Sequence, residues 1–324
     1  MFKTIRLMPA VALAALCATA APTVHASVVK VTPLGAIDGE FCPFDRAMIF
    51  EDPDGTRILY DAGRTVAGGD DPRLGKIDAL LVSHMHGDHA GDRRIPAPNS
   101  GECAKPDVSV STLPNTNTVD IALAKNAKII TGSEMPKFFG NKLKILGGDE
   151  KNSQLVRFGA NRKLNGVTVT TVPAVHSNGI AGAMIGGDLG KQLDDAGVTA
   201  YAGPPTGYVL TFSNGLVVYL SGDTGVTAEQ KIVVGDQYNA KLVVMNIGDT
   251  FTTGPKEAAY VVNELIKPAS VIASHANEPA TESGKVRAGT RTEMFMKAVT
   301  VPVHVPLSGK TMSFDGMGKC SEGC

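Results

Sequence analysis

The chain has 324 residues, of which 43% are hydrophobic and 19% charged, and its formal net charge is −1. A chain of this size buries roughly three quarters of its unfolded surface and needs no staple to fold. No basic block stands out, which argues against a dedicated nucleic-acid binder, and the absence of Trp removes the usual carbohydrate-stacking platform.

The first 26 residues read as a secretory leader. Lys3 and Arg6 make a positive start, Leu7 to Ala21 is mostly apolar and broken by Pro9, and Val24-His25-Ala26 offers small residues beside a cleavage point. The apolar run is too short for a bilayer. Cleavage is expected after Ala26, with Ala20 the alternative point and a retained anchor the competing reading. Cys17 follows Leu16, where lipoprotein processing needs a small residue, so lipidation is not expected. These features predict an exported protein, periplasmic or secreted, with no stable membrane anchor. Loss of Lys3 and Arg6 takes the charge from −1 to −3. Residues 27–324 contain no linker, repeat or low-complexity run and are expected to form a single domain.

Short strands dominate the first third: Val28 to Thr32, then Ala47 to Phe50 and Arg57 to Tyr60 around the turn Asp52-Pro53-Asp54-Gly55. Asp78 to Val82 is a buried strand that runs into Ser83-His84. Asp92 to Thr118 is long and irregular, with Pro96, Pro98, Pro106 and Pro114, and loops of this length are usually functional or mobile. Val119 to Asn126 reads as a short helix and Val167 to Val172 as a strand leading to His176. Tyr208 to Phe212 and Leu216 to Leu220 form a hairpin across Ser213-Asn214-Gly215. Leu242 to Asn246 and Ser270 to Ser274 are strands. Pro255 to Ile266 and Thr290 to Val299 are helices, the first with Pro near its start. Strands lead each half and helices follow, which predicts an α/β class protein: a four-layer αββα sandwich of two mixed sheets flanked by helices.

Of five cysteines, Cys17 leaves with the leader and Cys42, Cys103, Cys320 and Cys324 remain. An exported protein meets an oxidising compartment, where three pairings are open. The favoured one joins Cys42 to Cys103 and Cys320 to Cys324 as disulfides, the latter across small residues. No pair has zinc-finger spacing, which speaks against a structural cysteine site.

The segment His84-Met85-His86-Gly87-Asp88-His89 packs three imidazoles and a carboxylate into six residues. Two His at i and i+2 can face one ion, and the following Asp-His pair can turn to a second. Imidazole and carboxylate donors suit borderline cations such as zinc. His176 and His275 each end or follow a strand, as does Asp223 in Ser221-Gly222-Asp223-Thr224-Gly225. Asp223 fits a carboxylate that bridges two cations, and Asp61, after another strand, one that accepts N–H bonds and steers a ligand. His304, in Val303-His304-Val305, reads as a core or surface residue rather than a ligand.

These positions together resemble the metallo-β-lactamase fold superfamily, across essentially the whole mature chain. The resemblance rests on Asp61-Ala62-Gly63, the histidine segment, His176, Ser221 to Gly225 and His275, in the family's order. It implies His84, His86 and His176 for one metal, Asp88, His89 and His275 for a second, and Asp223 between them. Ile247 to Pro255 followed by Glu257-Ala258-Ala259 is similar to the branch of metal-dependent hydrolases that includes the ascorbate-phosphate lactonase. The chain departs from that branch in its leader and in the Asp92–Thr118 insertion.

The expected enzyme is therefore a binuclear metal-dependent hydrolase of small molecules, with zinc the default and manganese or iron(II) the alternatives. Two cations about 3.5–4 Å apart would share one water and lower its pKa toward neutrality. Asp88 is the candidate proton shuttle. A lactone or other carboxylic ester is the favoured substrate class, by the branch likeness. A phosphodiesterase and a β-lactam hydrolase are the alternatives on the same site. A mononuclear iron oxygenase is the rival of another class, and the full second set of donors argues against it.

Overall fold

A computed structural model describes residues 1–4 and 27–324. The expected leader and its cleavage after Ala26 therefore lie outside the described residues, apart from the first four. Two large mixed sheets make the frame. The first runs, in spatial order, through Ser153–Leu155, Lys128–Thr131, Ala79–Leu81, Arg57–Tyr60, Met48–Glu51, Val29–Pro33, Met312–Phe314 and Cys320–Glu322. The second runs through Asn161–Leu164, Val167–Pro173, Thr206–Thr211, Val217–Leu220, Leu242–Asn246, Ser270–Ser274 and Val303–His304.

Alternation along the strands decides which face each residue covers. Val31, Phe50, Ile58 and Leu81 point inward against Val169, Leu210, Val218, Val244 and Ile272, and this is the core between the sheets. Ile49, Leu59, Leu80 and Ile129 point the other way and pack on Val119, Phe139 and Leu143, from the helices Asn117–Lys125 and Met135–Ile145. Val209, Val243, Met245 and Val271 face outward onto Ala258, Val262 and Phe295 of the helical segments at 255–266 and 291–298. Three apolar layers between four structural layers are the αββα sandwich. Helix ends are set locally: Thr116 caps one helix by accepting from the Val119 N–H, and Thr290 caps another by accepting from Glu293.

Two expectations need correction. The segment from Asp92 to Thr118 is not irregular throughout: Arg93–Arg94 pairs with Val110–Ser111, and inside that Gly101–Glu102 pairs with Lys105–Pro106. The helix expected from Pro255 to Ile266 is α-helical only to Tyr260 and continues as a π-helix over Val261–Ile266. Among the described residues no helix is long and apolar enough to cross a membrane.

The cysteines meet in the favoured pairs. Cys42 and Cys103 have Cα atoms 5.0 Å apart, and Cys320 and Cys324 6.4 Å. Both separations lie in the range that a disulfide spans.

Candidate metal centre

Strand direction brings the polar residues together. In the second sheet Val217–Leu220, Leu242–Asn246 and Ser270–Ser274 run parallel, so their C-terminal ends share one edge. Val167–Pro173 has the same direction, because two antiparallel pairings separate it from Val217–Leu220. In the first sheet Arg57–Tyr60 and Ala79–Leu81 are parallel and end at the same side. His176, Asp223, His275, Asp61 and His84 follow these ends.

The histidine segment then folds back as a single π-helical turn, Gly87–Gly91. This turn sets Asp88 and His89 beside His84 and His86 without a long helix. Met85 N–H donates to Asn178 Oδ1 at 2.9 Å, which fixes the segment against the second half of the chain.

Two groups of donors result. His84, His86, His176 and Asp223 offer atoms that all lie within 4.8 Å of one another, and so do Asp88, His89 and His275. Asp223 stands between the groups. Its Oδ2 is 3.8 Å from His84 Nε2, 3.7 Å from His176 Nε2 and 2.9 Å from His275 Nε2. Its Oδ1 is 3.4 Å from His89 Nε2. Asp88 Oδ2 lies 3.5 Å from His275 Nε2 and 3.7 Å from His89 Nε2.

The donors are dry. His84, His89, Asp223 and His275 are all buried. His84 Nε2, His89 Nε2 and Asp223 Oδ1 have no hydrogen-bond partner among the described residues. Buried polar atoms left unpaired are costly, and a divalent cation would satisfy all three, so the residues fit the metal that the donor set implies.

Charge within the cluster shifts the protonation of its members. Burial, aided by the His89 charge, pushes His84 well below the usual imidazole range. Burial and neighbouring imidazoles lower His86, and burial lowers His176 despite the Asp223 charge. For His89 the burial effect is outweighed by Asp223, Asp88 and Asp61, which hold the imidazole well above its usual value. Burial would raise Asp223 and Asp88, but His89 and His275 hold both carboxyls well below the usual range. Neutral His84, His86 and His176 beside the ionised Asp223 are in the state in which such residues donate to a cation, whereas a cation at the second group would displace the His89 proton.

Asp61 supports the cluster from behind. Its Oδ2 accepts from Ser83 Oγ at 2.8 Å and lies 2.8 Å from His89 Nδ1, which orients the ring so that Nε2 faces the donors. Its backbone sits at φ 41°, His275 at φ 52° and Asn277 at φ 55°. Left-handed backbone at non-glycine residues is uncommon and clusters at functional sites.

Several residues at the site carried no signal in the sequence. Arg46, 3% exposed, donates to Asp88 Oδ2 at 3.0 Å and to Asn277 Oδ1 at 2.7 Å. Ser177 Oγ lies 3.2 Å from His86 Nε2. Phe44, Arg46, Thr250, Phe251 and Asn277 line the cleft of about 460 Å³ that opens over the donors. Phe251 is 69% exposed and comes from the segment Ile247 to Pro255, singled out in the sequence. A second lobe of about 360 Å³ shares His86 and Ser177 and is lined by Met85, Leu113 and Met184. Leu113 and Asp92 bring the folded insertion to the rim of that lobe. Cys103 of the same insertion lies with its Cα 5.0 Å from that of Cys42.

The chain is similar to known proteins. A family model described as "Beta-lactamase superfamily domain" matches residues 46–275. The chain is 30% identical over 250 residues to a UPF0173 metal-dependent hydrolase of Cupriavidus necator, covering 74% of this chain and 71% of that one. It is 27% identical over 264 residues to a UPF0173 metal-dependent hydrolase of Koribacter versatilis, covering 81% of this chain and 91% of the relative. Among solved structures it is similar to Igni18, a metallo hydrolase of Ignicoccus hospitalis, with a TM-score of 0.53, 20% identity, and coverage of 89% and 99% of the two chains.

Proposed function

This chain belongs to the beta-lactamase superfamily as a metal-dependent hydrolase, and from that premise we propose that it uses two divalent cations to hydrolyse a carbonyl substrate, a lactone or another carboxylic ester. The position of Asp223 carries the two-cation reading: a buried carboxylate whose two oxygens face different histidines, between two donor groups. His84, His86 and His176 would hold one cation and Asp88, His89 and His275 the other, with Asp223 shared. A mononuclear iron centre leaves the second group without a purpose. Zinc suits this donor set best, with manganese and iron(II) next.

Once bound, the two cations supply an acidified water as nucleophile and an electrophile for the substrate oxygen. The chain's own residues do the rest. Asp61 holds the His89 tautomer through Nδ1, and Ser83 fixes the Asp61 carboxylate from two sides, at 2.8 Å through both N–H and Oγ. Tyr60 Oη accepts from the Gly222 N–H at 2.9 Å and so fixes the turn that carries Asp223. Arg46 holds Asp88 Oδ2, which leaves Oδ1 to take the proton of the attacking water and pass it to the leaving oxygen. Phe251 and the insertion's Leu113 line the walls that receive the substrate. The preference for a carbonyl centre rests on the likeness of Ile247 to Pro255 to the lactonase-containing branch.

A panel of chromogenic lactone, ester, phosphodiester and cephalosporin substrates tests this with zinc- and manganese-loaded protein. Lactone or ester turnover that chelation removes and either metal restores is the expected result. Turnover of the phosphodiester or cephalosporin alone would sink the carbonyl reading. The export reading rests on Lys3, Arg6 and the apolar run from Leu7 to Ala21. N-terminal sequencing of the protein from its native host should begin at Ser27, and a mature chain that keeps Lys3 would contradict it.

A further inference from the structure

The cleft over the metal donors continues past His86 and Ser177 into its second lobe, of about 360 Å³. The floor of that lobe is apolar: Met85 and Met184 are each 1% exposed. Leu113, Ala181 and Ala183 line its sides. We infer, resting on the carbonyl reading proposed above, that this lobe receives an unbranched aliphatic acyl chain, so that the substrate is an ester of a medium-length fatty acid.

Two distant segments build the walls. Leu113 comes from the insertion Asp92–Thr118, and Ala181, Ala183 and Met184 come from the short helix Gly182–Ile185 and the residue before it. Lys142, 9% exposed, joins the two: its Nζ donates to the Pro114 carbonyl at 2.6 Å and to the Ile185 carbonyl at 3.4 Å. A buried ammonium is costly unless such partners satisfy it, so the same bonds that keep Lys142 inside hold both walls in place before a substrate arrives. Gly186 lets the walls approach, since its φ is 77° and a Cβ there would come 2.9 Å from the Pro114 Cβ.

The lining suits a hydrocarbon. The carboxylate in it, Asp92, has its two oxygens taken by Arg64, at 2.7 Å and 2.9 Å. Methionine side chains are unbranched and polarizable, and they adapt to a flexible chain. Gly179, Ala181 and Ala183 are small and leave the space open. At about 360 Å³ the lobe has more than twice the roughly 150 Å³ of an apolar cavity that takes benzene, which gives room for an arm of about eight carbons.

Asp88 decides which side of the scissile bond carries the arm. It lines the larger cleft and not the lobe, and it passes the proton to the leaving oxygen. The alcohol therefore leaves toward Asp88, and the acyl chain extends the other way, past His86 and Ser177. Water oxygen bonds to the carbonyl carbon, the bond from that carbon to the alcohol oxygen breaks, and one water proton passes through Asp88 to the alcohol. The products are the fatty acid and the alcohol, with no change of oxidation state.

A series of p-nitrophenyl esters from acetate to octanoate, given to the zinc-loaded full-length protein, holds the leaving group constant and tests the lobe. kcat/KM should rise by roughly two- to fourfold per added methylene and reach at least tenfold over acetate at hexanoate. Lengthening the alcohol instead, in alkyl acetates followed by proton release, should change kcat/KM less than threefold. Ala181→Leu and Ala183→Leu fill the lobe, and each should lower the hexanoate-to-acetate ratio at least fivefold. Ile232→Ser alters an exposed apolar residue that lines neither lobe and should keep the ratio. Acetate turnover with a flat acyl series, a climb in the alcohol series instead, or a ratio unchanged in both leucine variants would overturn the acyl-chain lobe and leave the carbonyl reading standing. Turnover of phosphodiesters or cephalosporins with no ester cleaved would remove that reading, and the acyl chain with it.

Discussion

Asp61 and Asp88 differ in what they touch, and substitutions separate their roles. Asp61 faces His89 Nδ1 and Ser83, away from the cleft. Asp61→Ala should weaken metal binding roughly 10–100-fold, as loss of a partner behind a ligand does, and metal titration of the variant checks it. Unchanged affinity would remove its orienting role. Asp88→Asn keeps a donor oxygen but cannot carry the proton. At saturating metal its kcat should fall by about 10²–10⁴-fold, and an unaltered kcat would assign the proton elsewhere. Residues of these kinds were legible in the sequence because each follows a strand or sits in one dense segment. Arg46 and Asn277 were not, since a single Arg in Phe44-Asp45-Arg46-Ala47 and an Asn beyond His275 have no spacing to mark them. Only the fold brings them together, 2.7 Å apart over Asp88.

Elements were legible where pattern and boundary agree. Arg57–Tyr60, Leu242–Asn246 and Ser270–Ser274 have the bounds that their apolar runs predict. The helix Met135–Ile145 escaped, because Pro136 and Gly140 are breakers in isolation. Here Pro136 occupies the first turn, where no N–H is needed, and Phe139 and Leu143 are buried on the first sheet. The insertion looked structureless because its strands are two residues each, too short for periodicity to register. If Cys42 and Cys103 are bonded, mass spectrometry of unreduced peptides will find them linked. Their removal should then cost about 4 kcal/mol for a loop of this size, read by urea unfolding. Free thiols in both peptides would end that account of the insertion. Gly222 precedes Asp223 at φ 59°, and a Cβ there would come 2.8 Å from the Ser83 Cβ. Gly222→Ala should cost roughly 1–3 kcal/mol and displace the shared carboxylate, with loss of metal. A variant that unfolds and binds metal like the parent would contradict this reading of the turn.

At the scale of the whole molecule, the two sheets are held by one shared core and meet again at the metal centre, whose donors come from both. Bound metal should therefore stabilise the fold. At 100 times the dissociation constant the gain is roughly 2.7 kcal/mol, seen as a lower melting temperature after chelation and its recovery with zinc. The αββα layering followed from the order of strands and helices, since apolar faces must be covered on both sides of each sheet. The substrate was not legible, because the walls of the cleft, Phe251 and Leu113 among them, are assembled from distant segments of the chain. The central claim, two cations at one shared carboxylate, is tested most directly by counting metal. Elemental analysis of the zinc-loaded, desalted protein should give two ions per chain. Asp223→Asn should give one or none. A single ion in the parent, or two ions kept by the Asp223 variant, would contradict the account.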